Sequence, residues 1–218
     1  MEPTRRPRVK VCCIQDEAEA WTAIRLGASA LGLVSAMPSG PGVIEEHAIA
    51  RIAGRVPPGV ATFLLTSLQN ADAIAAQHRR LRTTALQIVD SLDRGCYADL
   101  REALPGIGLV QVVHVTGPPS VDEAVAVAPH VDAILLDSGS PTLAVKELGG
   151  TGRRHDWALS RRIREAVDVP VYLAGGLLPE NVAEAIDAVG PFALDICTGV
   201  RSAGRLDAAK LERFMATF

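Results

Sequence analysis

The segment VPVYLAGGLLPENVAEAI, residues 169–186, joins a short aliphatic run to two glycines and an amphipathic stretch. A strand that is buried on both faces of a parallel sheet reads as a continuous aliphatic run, and residues 169–174 fit that description. Proline is favoured in the first turn of a helix, so Pro179 predicts a helix over 179–188. The segment is therefore one β-strand followed by one α-helix.

The same unit recurs along the whole chain. We predict eight strands, nearly all followed by a helix, at 9–14, 30–34, 60–65, 84–89, 108–115, 131–136, 169–174 and 192–197. The predicted helices include 16–27, 44–55, 70–82, 119–129, 156–167, 179–188 and 207–217. Asp156 and Asp207 are placed to cap the helices that follow them. Strands that alternate with helices indicate a parallel sheet with right-handed crossovers.

Eight such units in 218 residues favour a single (β/α)8 TIM barrel, an α/β fold, as one domain over 1–218. A doubly wound open sheet is the alternative. That fold would usually carry a glycine-rich turn after the first strand, and the residues CCIQDEAEA at 12–20 contain no glycine. The barrel is therefore the predicted architecture.

Composition limits the kind of partner this chain takes. Hydrophobic residues make up 48% of the chain, the mean hydropathy is +0.21 and the net charge is −3. No apolar run approaches the roughly 20 residues that span a bilayer. Basic clusters such as RRLR at 79–82 fall inside amphipathic helices, where we interpret them as solvated faces. We therefore predict neither a membrane nor a nucleic-acid partner.

The N-terminus and the cysteines bear on location. The segment MEPTRRPR, residues 1–8, is basic, rich in proline and expected to be flexible, and no hydrophobic signal core follows it. The four cysteines lack metal-ligand spacing, and adjacent residues such as Cys12 and Cys13 do not easily form a relaxed disulfide. We infer reduced thiols and a cytoplasmic location.

Two glycine-containing turns follow the last two predicted strands. Gly175 and Gly176 come after strand 7, and Thr198 and Gly199 come after strand 8. Glycine lets backbone N–H groups approach an anion closely, and the loops after strands 7 and 8 are the usual phosphate site of a TIM barrel. The alternative is that these glycines only make tight turns. We favour the first interpretation, which predicts a phosphorylated small-molecule substrate.

The first strand, within VKVCCIQ at 9–15, carries a lysine and two cysteines. Because successive strand residues face opposite sides, Lys10 and Cys12 should point into the barrel and Cys13 outward, toward the helices, as packing. A cation beside a thiol favours the reactive thiolate. The alternative is that Cys12 is a small buried hydrophobe and Lys10 closes the end of the strand.

Asp137 ends the sixth strand, AILLD at 133–137. A carboxyl group at the rim of an apolar barrel suits a general acid, whereas a loop-capping aspartate is the alternative. The residues GGTG at 149–152 lie in a long loop before the next helix, and such loops are often lids. Cys12 and Asp137 would then form a base–acid pair across the barrel mouth, which suits an aldose–ketose rearrangement.

Several motifs resemble those of the phosphoribosylanthranilate isomerase family of tryptophan biosynthesis. The similar segments are VKVCCI at 9–14, GASALGLV at 27–34, ILLDSG at 134–139, GGTGRRHDW at 149–157, LAGGLLPENVAEAI at 173–186 and ALDICTGVRSAGRLDAAKL at 193–211. They occur in the family's order, and those of the C-terminal half are the most distinctive.

The resemblance implies an Amadori rearrangement of a phosphoribosylated amine, with no metal or organic cofactor. By position, Cys12 is the general base that removes the proton from C2 of the ribose, and Asp137 is the general acid that protonates the ring oxygen. The implied phosphate site comprises Gly175, Gly176, Thr198 and Gly199, with Asp195 nearby. We complete the substrate-binding and phosphate-binding set with Lys10, Gly150, Gly152 and Arg201.

The chain departs from the family pattern at several positions. Cys13 replaces a glycine, and Gly42, in MPSGPGVI at 37–44, replaces the arginine that addresses the anthranilate carboxylate. Val89 and Asp90 replace a His-Gly pair, and Arg201 replaces a glutamate. Our hypothesis is that the isomerase chemistry and the phosphate site remain while the aglycone pocket has changed.

Three functional interpretations follow from these motifs and departures. The first is phosphoribosylanthranilate isomerase activity, with Arg201, Arg153 or Arg154 compensating for the missing arginine. The second is a paralogous isomerase that acts on a different phosphoribosyl amine or phosphosugar. The third is a non-catalytic phosphosugar-binding barrel, against which the retained Cys12 and Asp137 argue. We expect a monomer or a homodimer.

Overall fold

Eight parallel strands close into a barrel in chain order, β1 to β8. The computed structural model describes residues 6–92, 94–140, 146, 148 and 152–218, without the side chains of residues 94 and 95. The strands are β1 Arg8–Val11, β2 Ala30–Val34, β3 Ala61–Thr66, β4 Ala85–Ile88, β5 Gly108–His114, β6 Ala133–Asp137, β7 Val171–Leu173 and β8 Ala193–Ile196. The predicted (β/α)8 barrel is confirmed.

Helices follow all eight strands. They are α1 Glu17–Arg25, α2 Glu46–Ala53, α3 Ala71–Leu81, α4 Arg94–Ala103, α5 Pro119–Val127, α6 Trp157–Ala166, α7 Val182–Val189 and α8 Ala208–Met215. A short antiparallel pair, β9 Arg201–Ser202 and β10 Arg205–Leu206, precedes α8. No helix among the described residues is long and apolar enough to cross a membrane.

The barrel closes between β1 and β8. Lys10 pairs with Ala30 of β2 on one side and with Asp195 of β8 on the other. Because all strands run parallel, their carboxyl ends meet at one mouth of the barrel, where the active sites of this fold lie. The register therefore brings the ends of β1, β6, β7 and β8 to the same opening.

Alternation along the strands divides the core into two layers. In β3, Phe63 and Leu65 pack inside the barrel with residues such as Leu135, while Leu64 packs between the sheet and the helices. This is the two-sided burial that aliphatic parallel strands predict. At the mouth, the inner layer also contains Leu148 from the loop between β6 and α6.

Some predicted boundaries are wrong for local physical reasons. β1 ends at Val11 rather than at residue 14, because Cys13 has φ +63°, in the left-handed region that no strand adopts. Helix α7 begins at Val182 rather than at Pro179, because the Asn181 side chain is used by the preceding loop: it accepts from Leu178 N and donates to Gly176 O.

Helix α4 is the element that the sequence did not predict. Its buried residues Tyr97 and Leu100 follow helical spacing, but the segment has a glycine at its second position and charged residues at four of its ten positions. Two predicted caps are confirmed, because the Asp156 carboxylate accepts from Ala158 N and that of Asp207 accepts from Lys210 N.

The expected flexible N-terminus is only partly within the described residues. Residues 1–5 lie outside them, and Arg8 already belongs to β1. That all 218 residues form one domain stays a prediction.

Candidate active site

A cavity opens at the carboxyl ends of the strands and gathers most of the predicted site residues. Those that line it are Cys12, Asp137, Gly152, Gly175, Gly176, Asp195 and Thr198. They come from the ends of β1, β6, β7 and β8 and from the loops that follow. The barrel thus brings the predicted base, the predicted acid and part of the predicted phosphate site to one cavity.

Three of the predicted residues that the structure describes do not line this cavity. Lys10 lies beneath it, Gly199 packs behind it and Arg201 is turned toward the backbone of the β1 loop. Gly150 lies outside the described residues. The wall also includes residues that the sequence did not single out as site residues, among them Met37, Gln87 and Leu148.

A buried ion pair forms the floor of the site. The ammonium of Lys10 is 2.8 Å from Asp195 Oδ1, and the two side chains are 0% and 7% exposed. Burial alone would lower the pKa of Lys10, but the charges of Asp195 and Cys12 raise it above the ordinary value. Lys10 is therefore a permanent cation inside the barrel.

Cys12 lies beside that cation. A Cβ built on Gly32 of β2 would lie 2.7 Å from Cys12 Sγ and 3.0 Å from Lys10 Nζ. The thiol and the ammonium therefore share the space that a side chain at position 32 would fill. Cys12, the predicted base, therefore lies against a fixed positive charge. Gly32 is a site-shaping residue that sequence reasoning missed.

Asp137, the predicted acid, lines the same cavity from the end of β6. Its carboxylate accepts from Ser138 N at 2.7 Å, which fixes it at the end of β6. Next to it lies His155, whose Nε2 is 2.7 Å from Ser160 Oγ. Burial lowers the pKa of His155, and the charges of Asp137 and Asp156 only partly oppose this. His155 was within a quoted motif, but nothing in the sequence placed it beside Asp137.

Three loops meet at the predicted phosphate site. They pack so closely that a side chain at Gly176 or Gly199 would collide with a neighbouring loop. A Cβ on Gly176, at φ +64°, would lie 2.8 Å from the Arg153 carbonyl carbon, and one on Gly199 would lie 2.1 Å from Leu177 O. A Cβ on Gly152 would lie 3.4 Å from Thr198 Oγ1. The glycines therefore let the loops after β6, β7 and β8 pack together, and they also leave backbone exposed to an anion.

Cys13 is not the outward-facing packing residue that strand alternation predicted. Its left-handed backbone turns the side chain into the inner layer, where it lines the cavity with Cys12. A Cβ on Gly42 would lie 2.4 Å from Cys13 Cβ. The sequence showed Cys13 and Gly42 as two separate departures. In the structure, the Cys13 side chain occupies the space that a side chain at position 42 would need.

Two of the three arginines proposed as substitutes for the missing cation are engaged elsewhere. Arg201 Nη2 donates to the carbonyls of Cys12 and Cys13 and pairs with Glu19. The Arg154 guanidinium lies 4.0 Å from the centre of the Trp157 ring and pairs with Glu184. Arg201 therefore holds the β1 loop in place from outside the cavity.

Another cation, Lys146, lies beside the cavity without lining it, near the ends of β2 and β4. Lys146 Nζ is 2.5 Å from Asp90 Oδ2, and the Lys146 carbonyl accepts from Ser39 Oγ at 2.5 Å. Ser39 and Leu148 line the cavity. The loop after β6 is thus tied to the ends of β2 and β4. Asp90 was noted as a departure, but the sequence did not indicate that Lys146 is its partner.

Within the described part of the chain, no group of three or more His, Cys, Asp or Glu side chains is arranged to hold a metal ion.

Comparison with known proteins relates this geometry to a family. The family model of N-(5'-phosphoribosyl)anthranilate (PRA) isomerase matches residues 9–217. The isomerase of Methanothrix thermoacetophila is 35% identical over 208 residues, which cover 95% of this chain and 96% of that protein. The isomerase of Halobacterium salinarum is 36% identical over 213 residues, which cover 96% and 94%.

Solved structures agree with the sequence relatives. The Thermotoga maritima phosphoribosyl anthranilate isomerase superposes with a TM-score of 0.83 at 28% identity, covering 97% of this chain and 98% of that one. An isomerase in complex with reduced 1-(o-carboxyphenylamino)-1-deoxyribulose 5-phosphate superposes with a TM-score of 0.80 at 26% identity, covering 97% of both chains. The chain belongs to the N-(5'-phosphoribosyl)anthranilate isomerase family.

Proposed function

We propose that this chain catalyses the Amadori rearrangement of N-(5-phosphoribosyl)anthranilate to the corresponding 1-deoxyribulose phosphate. One observation carries the proposal: in a chain of this family, a thiol beside a buried cation and a carboxyl group line one cavity together with glycine-rich loops. Pure binding of a phosphosugar needs neither the thiol nor the acid.

The reaction needs one proton delivered and one removed. Asp137 protonates the ribose ring oxygen, which breaks the bond from that oxygen to C1 and leaves a Schiff base between C1 and the amine. The Cys12 thiolate then removes the proton from C2, and the electron pair of that bond neutralises the iminium nitrogen. The resulting enol becomes the C2 ketone when C1 gains a proton and the C2 hydroxyl group loses one. Acid–base steps of this kind contribute about 10²–10⁴-fold each.

Lys10 supports the base without touching the substrate. It is fully buried, paired with Asp195 and adjacent to Cys12. A fixed cation in a low-dielectric interior attracts negative charge placed next to it more strongly than it would in water. We therefore assign Lys10 and Asp195 a positioning role and propose that the substrate phosphate binds above them, at Gly152, Gly175, Gly176 and Thr198.

The anthranilate carboxylate then lies toward the loops that carry Ser39 and Lys146. The Lys146 ammonium has three N–H groups, and its side chain is 39% exposed while Asp90 accepts from it. Of the cations considered for the missing arginine, Arg201 and Arg154 are directed away from this end of the cavity. We propose that Lys146 contributes to binding the carboxylate end of the substrate.

We further propose a monomer or a homodimer, located in the cytoplasm, with no nucleic-acid partner. A solved structure of the Thermotoga maritima relative is described as monomers generated from a dimeric isomerase. All four cysteines of this chain are free thiols, which suits a reducing compartment.

The test is the fluorescence of N-(5-phosphoribosyl)anthranilate mixed with the purified protein. Loss of the substrate's fluorescence, with recovery of the 1-deoxyribulose phosphate by mass spectrometry, supports the proposal. No loss, together with turnover of another phosphoribosyl amine, would favour a paralogous isomerase. No turnover of either substrate, with thermal stabilisation by inorganic phosphate, would favour a phosphosugar-binding barrel.

A further inference from the structure

Three of the four cysteines meet at the mouth of the barrel, and the proposed reaction uses only one of them. Cys12 and Cys13 follow β1, and Cys197 follows the neighbouring strand β8. The Sγ atoms of Cys13 and Cys197 are 2.9 Å apart. Both side chains line the cavity, so a small solute that enters it reaches both sulfur atoms.

Cys13 has a backbone conformation that is unfavourable for a residue with a side chain. Its φ of +63° lies in the left-handed region, which a residue with a Cβ adopts less readily than glycine. The loop between β2 and α2 also lacks a side chain at Gly42, where a Cβ would lie 2.4 Å from Cys13 Cβ. The thiol is therefore held against Cys197 at a position whose backbone and surroundings would suit glycine.

We propose that Cys13 and Cys197 form a dithiol site that hydroperoxides oxidise to a disulfide. A disulfide has an S–S length of about 2.05 Å, so closure needs the two sulfur atoms to approach by about 0.9 Å, which side-chain rotation can supply. The alternative bond between the adjacent residues Cys12 and Cys13 would be strained, and the observed contact favours Cys197.

The two thiols differ in pKa, and their reaction with a hydroperoxide depends on such a difference. The hydrogen bond with Cys13 lowers the pKa of Cys197, burial opposes this, and the charge of Arg201 lowers it further. Hydrogen bonds with Cys12 and Cys197, together with burial, raise the pKa of Cys13 well above its ordinary value. Cys197 is also the more exposed of the two side chains, so we assign it as the attacking thiol and Cys13 as the resolving thiol.

The chemistry balances with one hydroperoxide. The Cys197 thiolate attacks one peroxide oxygen and the O–O bond breaks. Cys197 becomes a sulfenic acid, and the other oxygen leaves as water or an alcohol after protonation. Cys13 then loses its proton and attacks the sulfenic sulfur, the S–O bond breaks, and water leaves as the S–S bond forms. The two sulfurs together lose the two electrons that the peroxide gains.

The modification would affect the proposed isomerase site from both sides. Cys13 follows the proposed base Cys12, and Cys197 precedes Thr198 of the proposed phosphate site. We expect the oxidised protein to lose turnover severalfold and dithiothreitol to restore it. This consequence rests on the proposed function, whereas formation of the disulfide does not.

The experiment oxidises the intact protein with stoichiometric hydrogen peroxide, alkylates it in denaturant and maps the peptides without reduction. Alkylatable thiols should fall from the four of the sequence to two, with a cross-link between the peptides that carry residues 13 and 197. Trypsin leaves Cys12 and Cys13 in one peptide, because no Lys or Arg separates them. Fragment ions and a Cys13→Ser variant therefore identify the bonded residue.

The matched control is Cys96→Ser, in α4. That variant should form the same cross-link, whereas Cys13→Ser and Cys197→Ser should not. Retention of four alkylatable thiols in the wild type, or a cross-link that involves Cys12, would overturn the proposal. Mapping of the wild-type protein decides the question even if a variant fails to fold, and neither readout needs an active isomerase.

Discussion

The two sides of the barrel mouth differ in how closely they follow the family pattern. On the side of β6, β7 and β8, glycines let three loops pack against one another, and the quoted family motifs are present apart from Arg201, which replaces a glutamate. On the side of β2 and β4, Gly42 and Asp90 replace family residues, and an ion pair between Lys146 and Asp90 ties the loop after β6 to β4.

Under the proposed function, the two sides contact different parts of the substrate. Backbone N–H groups can bind a phosphate, and a side chain at Gly176 or Gly199 would collide with a neighbouring loop. A carboxylate can accept charge-assisted hydrogen bonds from either Arg or Lys. The side of β6, β7 and β8, where backbone groups would bind the phosphate, therefore tolerates few substitutions. The side of β2 and β4, where side chains would bind the carboxylate, can exchange one charged residue for another.

The largest effect on turnover is expected for a substitution of the proposed acid, Asp137. Asp137→Asn removes the transferable proton while keeping the shape of the side chain, so kcat should fall by about 10²–10⁴-fold. Steady-state turnover of N-(5-phosphoribosyl)anthranilate measures it. Asp187→Asn, on the exposed face of α7, is the control and should leave kcat unchanged. A change below about fivefold in Asp137→Asn would show that another group protonates the ring oxygen.

The next effect concerns the buried pair beneath the phosphate side. Asp195→Asn leaves Lys10 charged without its counterion inside the barrel, which should reduce the free energy of unfolding by about 3–5 kcal/mol. Urea denaturation measures the loss. Glu165→Gln breaks an exposed pair with Arg161 and should cost less than about 1 kcal/mol. Equal losses in the two variants would contradict the role given to burial.

A smaller effect tests the close packing of the phosphate side. A Cβ at Gly199 would collide with backbone, 2.1 Å from Leu177 O, so Gly199→Ala should cost about 1–3 kcal/mol of unfolding free energy and raise KM. Gly117→Ala, where a Cβ would make an ordinary contact of 3.7 Å with Pro119, is the control. If Gly199→Ala matched the control in both stability and KM, the loops would have room that the structure does not show.

The smallest effect is expected for a substitution of Lys146, on the side of β2 and β4. Lys146→Met removes the ammonium but keeps an aliphatic stem, so KM should rise by up to about fivefold with little change in kcat. Arg161→Met removes a cation from an exposed pair on α6 and should leave both constants unchanged. An unchanged KM in Lys146→Met, or a fall in kcat alone, would remove Lys146 from substrate binding.

The features that the sequence could predict are those that depend on residues close together along the chain. The aliphatic strands, the helices between them and the residues at strand ends were visible because alternation and strand order depend on neighbouring residues. Cys12, Asp137 and Gly176 were found in this way, since each ends or follows a strand.

What the sequence could not predict depends on contacts between distant residues. The inward turn of Cys13 depends on its left-handed φ, and its fit to Gly42 joins two loops. The pairing of Lys146 with Asp90 links residues 56 positions apart. Helix α4 was missed because its few apolar residues follow a glycine.

The central claim is that the Cys12 thiol is the base of the proposed isomerase reaction. The most direct measurement is kcat for N-(5-phosphoribosyl)anthranilate in Cys12→Ala, with Cys96→Ala as the matched loss of a thiol outside the cavity. We predict a fall of about 10²–10⁴-fold in Cys12→Ala and no change in Cys96→Ala. Wild-type turnover in Cys12→Ala, in a protein whose wild type is active, would contradict the account.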